Sequence, residues 1–213
     1  MFVSDWMTTK VFTVKQDDNI SDAIKLLKEK KVKHLPVVED GEKVVGILSD
    51  RDIKDYTPSK VSTFDIHELN YILFTTKVAK IMVKNVIIAM PDMPIEEAAM
   101  VMYDKNIGCL PVVNQGKLIG IISDKDLFRV LVDITGVRQG GNRFYVVLKD
   151  KLGVTGEVLD VLRQHGFTLD SVLTTYEGAQ KGFKRVVVRT KGVKGDIEAV
   201  NKELKELFGM PFM

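Results

Sequence analysis

The chain shows one pattern of apolar and polar positions twice. In its first occurrence, Ile20, Ile24 and Leu27 are spaced as one face of a helix, and two apolar runs follow, Leu35–Val38 and Val44–Leu48. The polar stretch between the runs contains a glycine, which indicates a hairpin. With a short strand before the first helix and a second helix after the hairpin, the pattern predicts a β-α-β-β-α unit.

The same order returns further along the chain. Pro36 and Pro111 occupy equivalent places 75 positions apart, and Glu42 is one additional residue, after which the offset falls to 74. The first strands of the two copies are predicted at Val11–Val14 and Val86–Ala89. Two copies are too few for a solenoid, so the pattern predicts a duplicated module.

Each copy contains a Ser-x-x-Asp motif where the hairpin ends and the second helix begins, Ser49 with Asp52 and Ser123 with Asp126. A helix N-terminus favours phosphate because it has free N–H groups and the positive end of the helix dipole. An ionised carboxylate accepts hydrogen bonds from ribose hydroxyls. The same residues also match a capping box, in which the carboxylate bonds to its own chain. Because both modules carry the motif, nucleotide binding is our leading interpretation and helix capping the alternative.

The Leu-Pro-Val-Val strand and the Gly-Ile-Leu-Ser-Asp-Arg-Asp-Ile segment, each with its counterpart in the second copy, resemble CBS domains. Two in tandem resemble a CBS pair, or Bateman module, and the resemblance covers residues 1–133. It implies a regulatory adenosine-containing ligand, AMP, ADP, ATP or S-adenosylmethionine, rather than a cofactor. Arg51 and Lys125 are placed to neutralise phosphate charge. The nucleotide-binding residues that the resemblance implies are His34, Leu35, Pro36, Ser49, Asp50, Arg51, Asp52, Cys109, Leu110, Pro111, Ser123, Asp124, Lys125 and Asp126.

The segment between the copies predicts a capped helix over Thr63–Leu73, with Phe64, Leu69, Ile72 and Leu73 available for packing. Its Asp-Ile-His-Glu-Leu-Asn-Tyr-Ile-Leu stretch is similar to the linker of acetoin-utilisation-type CBS proteins. That resemblance implies a link to acetoin or acetyl-CoA metabolism.

Beyond the second copy the pattern changes. A connector with Gly140 and Gly141 is expected to be either a flexible hinge or an unusual turn. The pattern then predicts a β-α-β-β-α order, with strands at Arg143–Lys149, Thr168–Tyr176 and Phe183–Arg189 and helices at Val154–His165 and Asp196–Phe208. A ferredoxin-like βαββαβ unit needs one more strand, and only Gly209–Met213 remain, so we expect that strand to be short or missing.

This last unit resembles an ACT domain at Asp150-Lys-Leu-Gly153 and at Leu169-Asp170. The resemblance implies that Asp150, Gly153 and Asp170 bind an amino acid or another small effector. Leu152 stands where ACT domains often have proline, and Asp170 where they often have asparagine. Dimerisation without a ligand, with Gly153 serving only a tight turn, is the alternative.

The whole chain is therefore expected to have a mixed α+β fold (α/β mixed), a CBS-domain pair followed by the ACT-like unit. The expected divisions are CBS 1 at 1–57, a linker with a helix at 58–77, CBS 2 at 78–133, a glycine-rich connector at 134–142 and the ACT-like domain at 143–213. The order of domains resembles acetoin utilisation proteins of the B type. It implies a homodimer that senses ligands and regulates another protein allosterically, and a structural adaptor is the alternative.

Composition narrows the classes of function. The formal net charge is +2, which gives no electrostatic case for nucleic acid or for an anionic membrane. Cys109 is the only cysteine, so an internal disulfide is impossible, and no signal peptide is visible; a cytoplasmic location is expected. No paired acid and base, nucleophile set or metal-ligand spacing emerges around His34, His67, His165 or Cys109, so we expect no enzyme activity and no metal site.

Overall fold

The computed structural model describes residues 1–56, 66–192 and 195–208, and the chain divides into two compact units, Met1–Leu127 and Phe128–Met213. The elements from the N-terminus through the second module are α1 (Val3–Trp6), α2 (Ile20–Lys30), β1 (His34–Glu39), β2 (Lys43–Ser49), α3 (Asp50–Tyr56), α4 (Ile66–Thr75), α5 (Val78–Ile81), α6 (Ile95–Lys105), β3 (Cys109–Asn114), β4 (Lys117–Ser123) and α7 (Asp124–Ile134).

The two hairpins predicted from the repeat are present and match each other in detail. Strand β1 pairs with β2 and β3 with β4, both antiparallel, with Pro36 opposite Ile47 and Pro111 opposite Ile121. Both ladders shift register at the same place, after Val37 in the first and at the equivalent position in the second. The duplication is therefore structural as well as sequential.

The strands predicted at Val11–Val14 and Val86–Ala89 are wrong as full strands. Each segment instead makes one parallel bridge, Val14 with Val37 and Ala89 with Val112.

The prolines explain why these ladders stop after one rung. The Val14 N–H donates to the Pro36 carbonyl at 3.2 Å, and the Val38 N–H donates to the Val14 carbonyl at 3.0 Å. The next rung of a parallel ladder would need the N–H of Pro36, which proline lacks. Pro111 limits the segment at Ala89 in the same way, and its carbonyl accepts from the Ala89 N–H at 2.9 Å.

The leading arm of each module crosses to the other module, which the repeat did not predict. After α1, Thr8 exchanges two backbone hydrogen bonds with Ile121, of 2.9 and 3.0 Å. After α5, Val83 makes the equivalent pair with Ile47, also of 2.9 and 3.0 Å. Each hairpin is thus extended by a segment from the other copy, so the two modules form one interlocked body.

The helix faces predicted from apolar spacing are confirmed in the core of the first unit. Ile20 and Leu27 of α2 are buried, and Ile24 packs against the same cluster. Leu73 of α4 also packs there, although the start predicted for that helix at Thr63, with Phe64, lies outside the described residues. The rest of this cluster is built from Val14, Ala23, Leu35, Val37, Leu48, Ile53, Val78 and Met82.

The second unit has the β-α-β-β-α order that its pattern predicts. Its elements are β5 (Arg143–Lys149), α8 (Val154–Gln164), β6 (Thr168–Thr175), β7 (Phe183–Lys191) and α9 (Ile197–Phe208). The antiparallel sheet has the order β5-β7-β6, and Phe144 meets Phe167 edge to face with ring centroids 5.2 Å apart. The position of the possible last strand, Gly209–Met213, lies outside the described residues.

Hydrogen bonds to Thr190 hold the glycine connector in an unusual turn. The Thr190 N–H donates to the Asn142 carbonyl at 3.0 Å, and the Asn142 N–H donates to the Thr190 hydroxyl at 3.2 Å. Gly140 and Gly141 both have positive φ, and a Cβ on Gly141 would overlap the Thr190 carbonyl oxygen. Of the two expectations for this connector, the structure supports the unusual turn.

None of the helices in the described ranges combines the length and apolar character needed to cross a membrane.

Candidate functional site

A cavity of about 790 Å³ lies within the first unit, between the two modules. Its wall includes the first Ser-x-x-Asp motif, Ser49 to Asp52, together with His34 from the start of β1. The opposite side comes from the second module and carries Cys109 and Asp124. Its apolar surface is supplied by Ile47, Val83, Val86, Ile87, Met102 and Ile107.

The first motif forms a complete capping box at the start of α3. The backbone N–H and the hydroxyl of Ser49 both donate to Asp52 Oδ2, at 2.7 and 2.6 Å. The Asp52 N–H donates back to Ser49 Oγ at 3.2 Å. The capping alternative is therefore realised in this structure, with both residues on the cavity wall.

The second motif repeats two of these contacts, and its carboxylate is more buried. The backbone N–H and the hydroxyl of Ser123 donate to Asp126 Oδ2 at 3.0 and 2.7 Å, and Asp126 is 8% exposed. Neither Ser123 nor Asp126 lines the cavity, and Lys125 does not either. Of the second motif, Asp124 alone appears in the lining of this cavity as the described residues form it.

His34 and Cys109, which the repeat makes equivalent, both line the cavity. The His34 ring lies against Gly108, where a Cβ would come within 3.1 Å of its Cε1. Burial lowers the pKa of His34, while the carboxylates of Asp124, Asp50 and Asp52 oppose that shift.

Burial raises the pKa of the Cys109 thiol to about 12, and the nearby Asp124 adds to the shift. The thiol is therefore protonated at neutral pH, so it is a weak nucleophile and a poor metal ligand. Across the part of the chain that the structure describes, no group of histidine, cysteine or carboxylate side chains is placed to hold a metal ion.

The strand residues predicted to shape the nucleotide pocket do not line this cavity. Leu35 and Leu110 are fully buried in the hairpin cores, and Pro36 and Pro111 are also buried. Each Leu-Pro pair directly follows a residue that does line the cavity, His34 in the first copy and Cys109 in the second.

The repeat in the sequence did not predict the part of the cavity wall that crosses between modules. Val83, Asn85, Val86 and Ile87 follow α5 and reach the first motif because Val83 pairs with Ile47. The constant offset shows which residues are equivalent, but it does not show to which copy an arm attaches. Tyr103, in the last turn of α6, and Asn106, directly after that helix, also line the cavity and were not predicted from the sequence.

The three residues predicted to bind an effector in the second unit do not meet within one chain. The Asp150 carboxylate lies 3.3 Å from Lys184 Nζ, near the end of the sheet where Lys149 pairs with Phe183. Gly153 follows at the start of α8, with a φ of 83°.

Asp170 lies at the other end of the sheet, beside the pair of Leu169 and Thr190. Its Oδ2 is buried with no hydrogen-bond partner among the described residues, and a Cβ on Gly136 would overlap this carboxylate.

Two regions of the chain match the family model described as CBS domain, residues 3–59 and 78–133, which is just over half of the chain. The uncharacterized protein MJ0188 of Methanocaldococcus jannaschii is 30% identical over 201 residues, which cover 91% of this chain and 70% of that protein. A homoserine O-acetyltransferase of Methanohalobium evestigatum is 33% identical over 131 residues, 61% of this chain. The chain spans only 24% of that enzyme's length.

Solved structures are similar over about two thirds of the chain. The CBS domain pair of protein MJ0100, in complex with 5'-methylthioadenosine and S-adenosyl-L-methionine, is 27% identical with a TM-score of 0.52, covering 62% of this chain and 95% of that one. CBSX2 in complex with AMP is 31% identical with a TM-score of 0.53, covering 62% and 97%. A putative acetoin utilization protein (AcuB) from Vibrio cholerae is 27% identical with a TM-score of 0.55, covering 67% and 98%.

Proposed function

Because this chain belongs to the CBS domain family, with two CBS domains in tandem, we propose that it is a regulatory protein whose first unit senses an adenosine-containing ligand. The observation that carries the proposal is the 790 Å³ cavity with a Ser-x-x-Asp motif in its wall. Similar CBS pairs have been solved with AMP and with S-adenosylmethionine and methylthioadenosine, which supports the same class of ligand here.

In the proposed site, Asp52 accepts hydrogen bonds from the ribose hydroxyls and Ser49 donates to the 5′ substituent. On binding, the hydrogen bonds that Asp52 Oδ2 accepts from Ser49 exchange for contacts with the ligand. His34 borders the adenine, while Asp50 and Arg51 belong to the motif in the cavity wall.

The second motif is the proposed second site. Ser123 donates to Asp126 Oδ2 through its N–H and its hydroxyl, as Ser49 does to Asp52, and Cys109 stands where His34 does in the first module. Asp124 and Lys125 take the places of Asp50 and Arg51.

We propose that binding is read out by another protein rather than by chemistry in this chain. The relatives that carry an enzyme name are matched over only about a quarter of their own length.

The second unit is proposed to be an ACT-like domain in a homodimer. Asp150 and Gly153 lie at one end of its sheet and Asp170 at the other, so a shared effector site would need residues from two copies. The similarity to a putative acetoin utilization protein supports, as a proposal, a role in acetoin or acetyl-CoA metabolism.

A structural adaptor is the second candidate, because both motifs form the hydrogen bonds of helix caps in this structure. Thermal unfolding with AMP, ADP, ATP, S-adenosylmethionine and methylthioadenosine separates the two. A ligand that binds only the native state, at about 100 times its Kd, should stabilise the protein by about 2.7 kcal/mol. An adaptor would show no shift with any of the five.

The site is tested by Asp52→Asn. This substitution should raise the Kd of the ligand that binds by about tenfold or more, because a carboxylate acceptor is lost. Asp18→Asn is the matched control, since Asp18 Oδ2 accepts the Lys15 N–H at 2.7 Å in a similar local contact outside the cavity. Equal binding by both variants would remove Asp52 from the site. The unfolding free energy of each variant without ligand measures the loss of the cap separately.

A further inference from the structure

The cavity is lined by both carboxylates and cations, and the carboxylates are in excess. Among the described residues, the lining contains the carboxylates of Asp50, Asp52, Asp55 and Asp124 and the cations of Lys33, Arg51 and Lys54. Lys54 Nζ lies 3.1 Å from Asp50 Oδ2, and this contact lowers the pKa of Asp50. That pair is therefore neutral as a whole, which leaves three carboxylates against two cations.

These carboxylates are close enough to act on one point of the wall. Asp124, Asp50 and Asp52 all oppose the effect of burial on His34. His34 itself adds no cation at neutral pH, because burial lowers its pKa below the usual value. A ligand group near His34 therefore meets the field of carboxylates from both modules.

At three positions where the second copy contributes neutral residues to this cavity, the first copy has lysines. The offset of the repeat pairs Asn85, Tyr103 and Asn106 of this cavity with Lys10, Lys28 and Lys31. The backbone confirms the last pair: Lys31 and Asn106 both end their helices in the left-handed region, with φ of 53° and 52°, and their N–H groups bond the Leu27 and Met102 carbonyls. Three neutral residues thus stand at the cavity where the other copy has lysines.

We propose that this cavity selects adenosine derivatives whose 5′ substituent is cationic or zwitterionic, the sulfonium class, over nucleoside di- and triphosphates. The inference rests on the proposed function of the same site and names the class of ligand that it takes. A polyphosphate would bring several negative charges next to the carboxylates, which disfavours it in a partly desolvated site. A sulfonium with an amino-acid tail presents two cationic groups to the carboxylates, and its own carboxylate to Arg51 and Lys33.

Titration calorimetry on the full chain tests this with S-adenosylmethionine, methylthioadenosine, AMP and ATP. Binding at this cavity is defined as the binding that Asp52→Asn weakens and Asp126→Asn does not. At that site we expect S-adenosylmethionine to bind at least about tenfold more tightly than ATP, with neutral methylthioadenosine between them. Equal or tighter binding of ATP at the Asp52-dependent site overturns the inference and leaves the proposed function intact.

Introducing the lysines of one module into the other tests whether charge causes the selectivity. Tyr103→Lys with Asn106→Lys copies the lysines of the other module onto two exposed positions, one of them with a backbone that Lys31 already adopts. The double variant should move the ratio of affinities at least about tenfold toward ATP. Lys28→Tyr with Lys31→Asn, outside the cavity, is the matched control and should leave the ratio unchanged. An unchanged ratio in the first variant overturns the electrostatic origin, whereas loss of every Asp52-dependent signal in the wild type overturns the proposed function itself.

Discussion

At the scale of single residues, the protonation of a titratable group in the cavity wall depends on its burial and on the charges around it. His34 is partly buried against Gly108 and faces carboxylates from both motifs. Burial is the larger influence, so the neutral ring is favoured in the folded protein. This makes His34 the residue at which a change of pH acts most directly on the site.

The lowered pKa of His34 predicts a loss of stability in mild acid. The unfolded state takes up the proton as pH falls through the ordinary value near 6.5, while the folded state resists it. The free energy of unfolding should therefore be retained above that pH and decrease below it. Urea unfolding at pH 8 and pH 5.5 measures this, and His34→Gln should decrease less than the wild type. Parallel losses in both proteins would show that His34 does not cause the decrease.

At the scale of elements, the prolines and glycines set where pairing stops and where chains approach. Pro36 and Pro111 end two parallel ladders after one rung, because each lacks the N–H for the next. Gly46 lets Met82 lie close, since a Cβ there would stand 2.5 Å from the Met82 sulfur. In the connector, Gly141 likewise allows the Thr190 carbonyl to approach the backbone closely.

The two connector glycines predict unequal costs of substitution. Both have positive φ, so each alanine carries a backbone penalty; at Gly140, with φ of 76° and ψ of −151°, it is about 1–3 kcal/mol. A Cβ at Gly140 meets nothing within 4 Å, whereas one at Gly141 overlaps the Thr190 carbonyl. Gly141→Ala should therefore be more destabilising than Gly140→Ala by about 2 kcal/mol in denaturant unfolding. Equal costs would mean that the connector shifts freely to avoid the contact.

At the scale of the whole molecule, the exchange of arms is what makes one cavity from two modules. The pairs of Thr8 with Ile121 and of Val83 with Ile47 are equivalent, yet only the second brings residues to the cavity wall. A proline substitution in each arm therefore distinguishes an effect on stability from an effect on ligand binding.

Thr8→Pro and Val83→Pro each remove one N–H that crosses between modules, at 2.9 Å in both cases. Each should lower the free energy of unfolding by about 1–3 kcal/mol, because a carbonyl in the ladder loses its donor. Val83→Pro should in addition raise the Kd of the ligand that binds in the cavity, and Thr8→Pro should leave that Kd unchanged. Denaturant unfolding and calorimetry on the two variants measure this; equal binding would show that the arm is not part of the site.

Much of the local structure could be predicted because it depends on neighbours in the chain. The apolar spacing of Ile20 and Leu27, the hairpins and the Ser-x-x-Asp caps all follow from periodicity, turn chemistry and local hydrogen bonding. The first strands were mispredicted because a β-rich segment also needs a partner with free N–H groups, and Pro36 does not provide one.

By itself, the sequence determined that a module is duplicated, where its hairpin and the helices on either side of it lie, and which motif it repeats. Only the tertiary structure decided that the arms cross, that His34 and Cys109 share one cavity, and that Asp124 of one motif faces the other motif's site. The reason is physical. Periodicity records which side of an element is buried, whereas the charges that meet in a cavity depend on contacts between residues far apart in the chain.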